Sequence, residues 1–158
     1  MIERCDEREL GQIHEVINDG AQAYRGLIAA DRWHEPYMAM EELRGEIEAG
    51  VAFWGFYGGG RLLGVMGLQR VEDVVLIRHA YTRTAAQGRG AGTSLLEKLK
   101  GIANAPLLVG TWRAATWAVR FYERRGFALV PEDEKVRLLR RYWTVPQRQI
   151  EESVVLRA

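Results

Sequence analysis

Apolar and polar residues change their period several times along the chain, and each change marks an element. Val74 to Ala80 is almost continuously apolar, as in a strand buried on both faces. From Ala91 the apolar residues recur at Leu95, Leu96, Leu99 and Ile102, which is helical spacing. Between the two lies Gln87-Gly88-Arg89-Gly90-Ala91-Gly92, which no strand accommodates and whose glycines free the backbone from side-chain clashes. Residues 73–101 therefore read as strand, glycine loop and helix.

The same reading extends to both ends. Ile2 to Arg4 is a short first strand, and Leu10, Ile13, Ile17 and Ala21 form one face of an amphipathic helix. Tyr24 to Tyr37 mixes aromatic, acidic and basic residues and reads as a long connection, with Pro36 opposing helix at Glu35. A second helix runs from about Met38 to Ala49, with Met40, Leu43 and Ile47 inward and Gly50 as its stop. Val51 to Tyr57 and Arg61 to Gln69 are strand-like runs joined by Gly58-Gly59-Gly60, a hairpin signal.

Pro106 precedes another strand, Leu107 to Trp112. The next helix repeats Trp117 and Ala118 four residues on as Phe121 and Tyr122, with Gly126 as its cap and Phe127 packing back on the last turn. Phe127 to Val130 is a short strand, Glu132 to Tyr142 a charged surface helix or turn, and Ile150 to Leu156 an edge or hairpin strand. No repeat or linker interrupts this order, which predicts an α/β fold with a mixed sheet in one domain, residues 1–158.

Composition narrows the partners. The 22 basic and 21 acidic side chains leave a formal charge of +1, without the basic excess of a nucleic-acid-binding protein. Cys5 stands alone, so neither a disulfide framework nor a cysteine metal site is expected, and no metal ligand set is assigned. The charged start MIERCDEREL is unlike a signal peptide, and no apolar run approaches the ~18 residues of a membrane span. A soluble protein of a reducing compartment, the cytoplasm, is expected.

Strand, glycine loop and helix in that order aim unpaired backbone N–H groups and the helix dipole at one spot, a cradle for an anion. The spacing is wrong for a P-loop, because no Lys follows the glycines, and wrong for a dinucleotide fingerprint, because Thr93 stands where its third glycine belongs. Gln87-x-x-Gly90-x-Gly92 instead resembles the acyl-CoA pyrophosphate loop, Q/R-x-x-G-x-G/A, of the GNAT superfamily of N-acetyltransferases. Ala118-Val119-Arg120-Phe121-Tyr122-Glu123-Arg124-Arg125-Gly126-Phe127 is similar to that family's A-x-x-F-Y-x-x-x-G-F segment.

The resemblance implies a mostly antiparallel central sheet with one splayed parallel strand pair and flanking helices. It implies acetyl-CoA as co-substrate, with the pantetheine arm on the backbone of Ala80, Tyr81 and Thr82. The pyrophosphate then lies on Gln87, Gly88, Arg89, Gly90, Ala91, Gly92 and Thr93, and the Thr82 N–H faces the oxyanion. Tyr122 matches the tyrosine that protonates the leaving thiolate. The base is open between Glu35 and His79, with Asp31, His34 and a water-mediated route also in play. Trp33, His34, Tyr37 and Trp112, with Trp54 and Glu35, are candidates for contact with a small-molecule or peptide amine; aromatic walls beside a carboxylate suit a cation.

Two departures stand out: Ala115 replaces a frequent Asn, so that its hydrogen bond is either absent or supplied by Thr111, Arg113 or Thr116, and Thr84 replaces a frequent Pro. A homodimer through Glu151 to Leu156 and a monomer are both compatible with the resemblance. Competing readings are a non-catalytic acyl-CoA-binding module of the same fold and an unrelated nucleotide-binding protein.

Overall fold

The computed structural model describes residues 1–158. Seven strands form one sheet in the order β1-β2-β3-β4-β5-β7-β6, with flanking helices. The strands are β1 (Ile2–Arg4), β2 (Ala52–Gly58), β3 (Arg61–Val71), β4 (Val74–Thr82), β5 (Leu107–Trp112), β6 (Ala128–Leu129) and β7 (Ser153–Arg157). The helices are α1 (Leu10–Gly20), α2 (Met40–Glu48), α3 (Ala91–Ile102), α4 (Thr116–Glu123), α5 (Glu132–Tyr142) and α6 (Gln147–Glu152). One pair, β4 and β5, is parallel; its ladder runs from Val75 opposite Leu107 to Ile77 opposite Val109 and stops there while both strands continue. The fold class is the expected one. None of the helices is long and apolar enough to cross a membrane.

The chain forms two compact units. The first comprises residues 1–69 and 78–103. Its core gathers Ile13, Val16 and Ile17 of α1 with Leu43 of α2 and Phe53, Leu62 and Val65 of the hairpin. The apolar stripe of α1 is thus what drives that helix onto the sheet. The opposite face of the hairpin takes α3, whose Leu95, Leu96 and Leu99 are buried. Ile102, expected inward with them, is 40% exposed as the last residue of α3.

The second unit comprises residues 70–77 and 104–158. Glu132 to Tyr142 is a full helix; acidic residues in its first turn and Arg140 and Arg141 in its last complement the helix dipole. Its inner face carries Lys135, Leu139 and Tyr142, spaced by four and three. Lys135 is 1% exposed, and its Nζ donates to the Ile150 carbonyl at 2.6 Å and pairs with Glu132 at 2.8 Å.

Three expectations for this unit need correction. Ile150 to Glu152 is helical rather than extended, since the polar residues after Pro146 form a turn that folds Ile150 onto Leu139 and Val155. The last strand is not an edge: β7 pairs with β5 on one side and β6 on the other. Trp117, expected on the inner face of α4, is 47% exposed, so that face narrows to Tyr122.

Candidate functional site

The glycine loop is set in place by what precedes it. Beyond β4 the Arg83 side chain turns inward, where its Nε donates to the Leu62 carbonyl at 2.7 Å and its guanidinium meets Glu15 of α1 at 3.2 Å. Thr84 then donates its N–H and its hydroxyl to Asp19 of α1 at 3.2 and 2.8 Å. A proline at 84 has neither donor, so the departure noted at this position ties the loop to α1.

Gly88 and Gly90 adopt φ of +83° and +77°, in the left-handed region. A Cβ at either would meet nothing within 4 Å, so conformation rather than space requires glycine there. Gly90 caps α3 without a side-chain acceptor, and the first helical bond is Ser94 N–H to Gly90 O at 3.0 Å. By helix geometry the N–H groups of Ala91 and Gly92 have no acceptor within the helix, and Gln87, Gly88 and Arg89 just before them are exposed. Backbone donors, dipole and an adjacent guanidinium suit a diphosphate.

The connection after α1 is clamped at its far end. The Asn18 amide accepts from the Met38 N–H at 2.8 Å and donates to the Met38 carbonyl at 3.0 Å, while His14 Nε2 lies 2.9 Å from that carbonyl. Within the connection Trp33 stacks obliquely on Tyr37 at 5.5 Å, and Tyr37 and Tyr24 both meet Tyr81 of β4 edge-on, at 6.3 and 6.0 Å. Trp33 and Tyr37 are thus brought together beside the end of β4. Glu35 accepts from the Trp33 Nε1–H at 2.9 Å, lies 3.7 Å from Arg25, and is half-exposed. His34 is exposed, its Nδ1 3.2 Å from the Pro36 carbonyl across the cis Glu35–Pro36 bond. Trp54 is not part of this group; it lies on the other face of β2, with Lys98 of α3 over its ring at 5.9 Å.

His79 has a φ of +52°, rare for a residue with a side chain and unusual within a strand. Adjacent strand residues normally point to opposite faces. Here Arg78 and His79 both reach one oxygen, Oε1 of Glu46 on α2, at 2.6 and 2.8 Å. The His79 ring also stacks on Phe53 at 6.2 Å. Burial alone would raise the Glu46 carboxyl, but the hydrogen bond from His79 and the charges of His79 and Arg78 hold it below the usual carboxylate range. Its second oxygen, Oε2, is buried without a hydrogen bond. Sequence reasoning missed Glu46; the signal was a carboxylate beside Ile47 and three residues after Leu43, on the inward stripe of α2.

Tyr122 and Trp112 lie in the second unit. Tyr122 is 5% exposed and meets the rings of Phe121 and Phe127 edge-on, at 5.1 and 5.4 Å. The helix end that presents it is a Schellman motif: Phe127 N–H bonds Tyr122 O, Gly126 N–H bonds Glu123 O, and Gly126 has φ of +91°. Trp112 is half-buried at the end of β5, opposite Ser153. Ala115 is fully buried, and Arg113, one of the substitutes considered for its missing contact, is paired with Glu132 at 3.2 Å.

Comparison with known proteins adds a family to this geometry. No curated protein matches the chain by sequence. Among solved structures, the PaiA N-acetyltransferase of Thermoplasma acidophilum in complex with coenzyme A superposes with a TM-score of 0.73 at 16% identity, over 99% of this chain and 96% of that one. An acetyltransferase from Streptococcus agalactiae gives 0.74 at 18% identity, over 99% and 95%. The ribosomal-protein-S18-alanine N-acetyltransferase of Escherichia coli gives 0.70 at 14% identity, over 99% and 91%. These similarities concern the fold. The model of the acetyltransferase (GNAT) domain matches residues 15–139, most of the chain and both of its glycine-bearing motifs, and the chain belongs to that family.

Proposed function

We propose that the chain is a single-domain N-acetyltransferase that moves the acetyl group of acetyl-CoA to a primary amine of a small molecule or peptide, by direct attack on the thioester. The observation that carries the reading is the loop from Gln87 to Thr93, with its two left-handed glycines at the start of α3. GNAT domains use acetyl-CoA as co-substrate, and this loop has the donors its diphosphate requires. The backbone of Ala80, Tyr81 and Thr82 holds the pantetheine arm, and the Thr82 N–H stabilises the developing oxyanion.

His79 is the preferred base. Glu35 is half-exposed and already shared between Trp33 and Arg25, whereas His79 is fixed by Glu46 near the end of β4. An alkylammonium must lose a proton before its nitrogen attacks, and an imidazole needs little tuning to accept it near neutral pH. Tyr122 protonates the leaving thiolate; this role and that of Trp112 at the acceptor rest on the motif resemblance. Trp33, Tyr37 and the exposed His34 contact the acceptor, whose aromatic surroundings favour a cationic amine. An unpaired Cys5 fits a cytoplasmic setting. A dimer through β7 draws no support from its place between two strands.

Thermal unfolding with acetyl-CoA tests the first step. At about 100 times its dissociation constant a ligand stabilises the folded state by about 2.7 kcal/mol, a rise in Tm of roughly 5–10 °C for a chain of this size. Thiol release across a panel of amines tests the second. Stabilisation without thiol release from any amine leaves a binding module, and no stabilisation removes the loop assignment.

A further inference from the structure

We propose that Glu46 is a positioning residue that sets both the ring orientation and the tautomer of His79. The inference rests on the reading of His79 as the base of acetyl transfer and deepens it. A carboxylate only accepts hydrogen bonds, so the His79 nitrogen beside Glu46 Oε1, Nε2 at 2.8 Å, carries the proton. Neutral His79 is then the Nε2–H tautomer, and Nδ1 has the lone pair. That nitrogen has no hydrogen bond to the protein, and the side chain keeps 15% of its surface in solvent. Nδ1 is therefore the atom that takes the proton from an acceptor ammonium, directly or through one water. The ammonium becomes a neutral amine and the ring an imidazolium, which returns its proton to solvent after the amide has formed.

Three local features serve this arrangement. The positive φ of His79 breaks the strand alternation and turns the ring to the face where α2 presents Glu46. Phe53 stacks on the ring at 6.2 Å and limits its rotation. Arg78 bonds the same Glu46 oxygen at 2.6 Å, with its other nitrogen on Gln69 at 2.8 Å, and keeps the carboxylate ionised. The charged groups facing the ring are thus Glu46 from α2 and Arg78 from β4, while β2 and β3 contribute the neutral Phe53 and Gln69. The depressed carboxyl of Glu46 agrees with a permanent anion at this point. The division of labour is that of an orienting carboxylate behind a catalytic imidazole.

The test has a spectroscopic arm that needs no substrate. The chain has three histidines, so long-range proton–nitrogen spectra of the full-length, histidine-labelled protein are sparse, and His79→Gln identifies the signals of residue 79. The expected result is an Nε2–H tautomer for His79 above neutral pH, with the preference lost in Glu46→Gln. An Nδ1–H tautomer in the native protein, or a tautomer indifferent to Glu46→Gln, overturns the proposal. The native spectrum decides even if that variant does not fold.

The kinetic arm uses the panel amine that releases thiol fastest. Glu46→Gln should lower kcat about 10- to 100-fold with the KM for acetyl-CoA within about twofold, consistent with loss of base efficiency alone. The acid limb of the pH profile should move to lower pH, and Arg78→Met should move it to higher pH. Adding Glu46→Gln to His79→Gln should cost nothing further. An unchanged kcat in Glu46→Gln refutes the proposal. If acetyl-CoA binds and no amine reacts, the acetyl-transfer reading fails instead, and the tautomer still decides the role of Glu46.

Discussion

Gly90 is the position at which charge and backbone strain can be separated. Its φ of +77° makes any L-residue costly, and a Cβ there meets no atom within 4 Å, so the cost is conformational. Asn tolerates the left-handed region better than other side chains with a Cβ, at about 1 kcal/mol. Asp matches Asn in size and shape and differs by one negative charge. If a diphosphate sits on the loop, that charge lies about 5 Å from two others, and in water each pair repels by about 0.8 kcal/mol. The sum, about 1.7 kcal/mol, is roughly a 17-fold loss of affinity, and the lower dielectric at the protein surface raises it.

Calorimetric titration with coenzyme A should therefore rank the native protein first, Gly90→Asn within several-fold of it, and Gly90→Asp at least tenfold below Gly90→Asn. The gap between the two variants should narrow as salt rises from 0.05 to ~0.5 M, because screening shortens the reach of the added charge. Both variants should lose a similar few degrees in Tm, since both carry the strain. Equal affinities for Asn and Asp would show that no phosphate lies at this turn, and the assignment of the loop would fall.

Tyr122→Phe should reduce turnover by about 10²-fold, with little change in acetyl-CoA affinity, in stopped-time thiol-release assays; unaltered turnover would leave the phenol as packing between Phe121 and Phe127. Burial pushes the Cys5 thiol up from 9.0 to about 11, so at pH 8 its thiolate fraction should be about 100-fold below that of the unfolded chain, and its disulfide exchange with a chromogenic reagent at least about tenfold slower once the greater nucleophilicity of a higher-pKa thiolate is counted. The Glu46 carboxyl is held below its ordinary value, so its stabilising share is present above that value and disappears as pH falls through the lowered one. Urea unfolding between pH 7 and pH 4 should then show a smaller loss of stability for Glu46→Gln than for the native protein.

The parts legible in the sequence are those set by neighbours along the chain. Gly88, Gly90 and Gly92 between an apolar run and a helical repeat, and Gly126 followed by Phe127, announce themselves because turn and cap chemistry is local. The partners of the site were hidden because they act across the fold. Asp19 meets Thr84 across 65 positions and Glu15 meets Arg83 across 68, and nothing in the spacing of either pair predicts contact. Glu46 was hidden for another reason: α2 is polar enough that one more carboxylate draws no notice until its neighbours Leu43 and Ile47 fix which side faces inward. Ile150 misled because an isolated apolar residue near a strand is ambiguous, and Pro146 decided it for the helix.

The Asn18 clamp has a consequence for how the connection after α1 can vary. The chain leaves α1 at Gly20, wanders through residues 21–37, and is caught again at Met38 by a side chain two residues before the point of departure. The wandering stretch is in effect a cassette held between two posts on one helix. For such a loop, doubling the length adds only about 0.6 kcal/mol of closure entropy. Its exposed positions can change while buried Ala21 and Ile28 keep it on the core and Asp19 and Glu15, on the same helix, keep their hold on Thr84 and Arg83. If Trp33 and Tyr37 contact the acceptor as proposed, altering the exposed positions between Gly20 and Met38 is the economical way to change what is accepted.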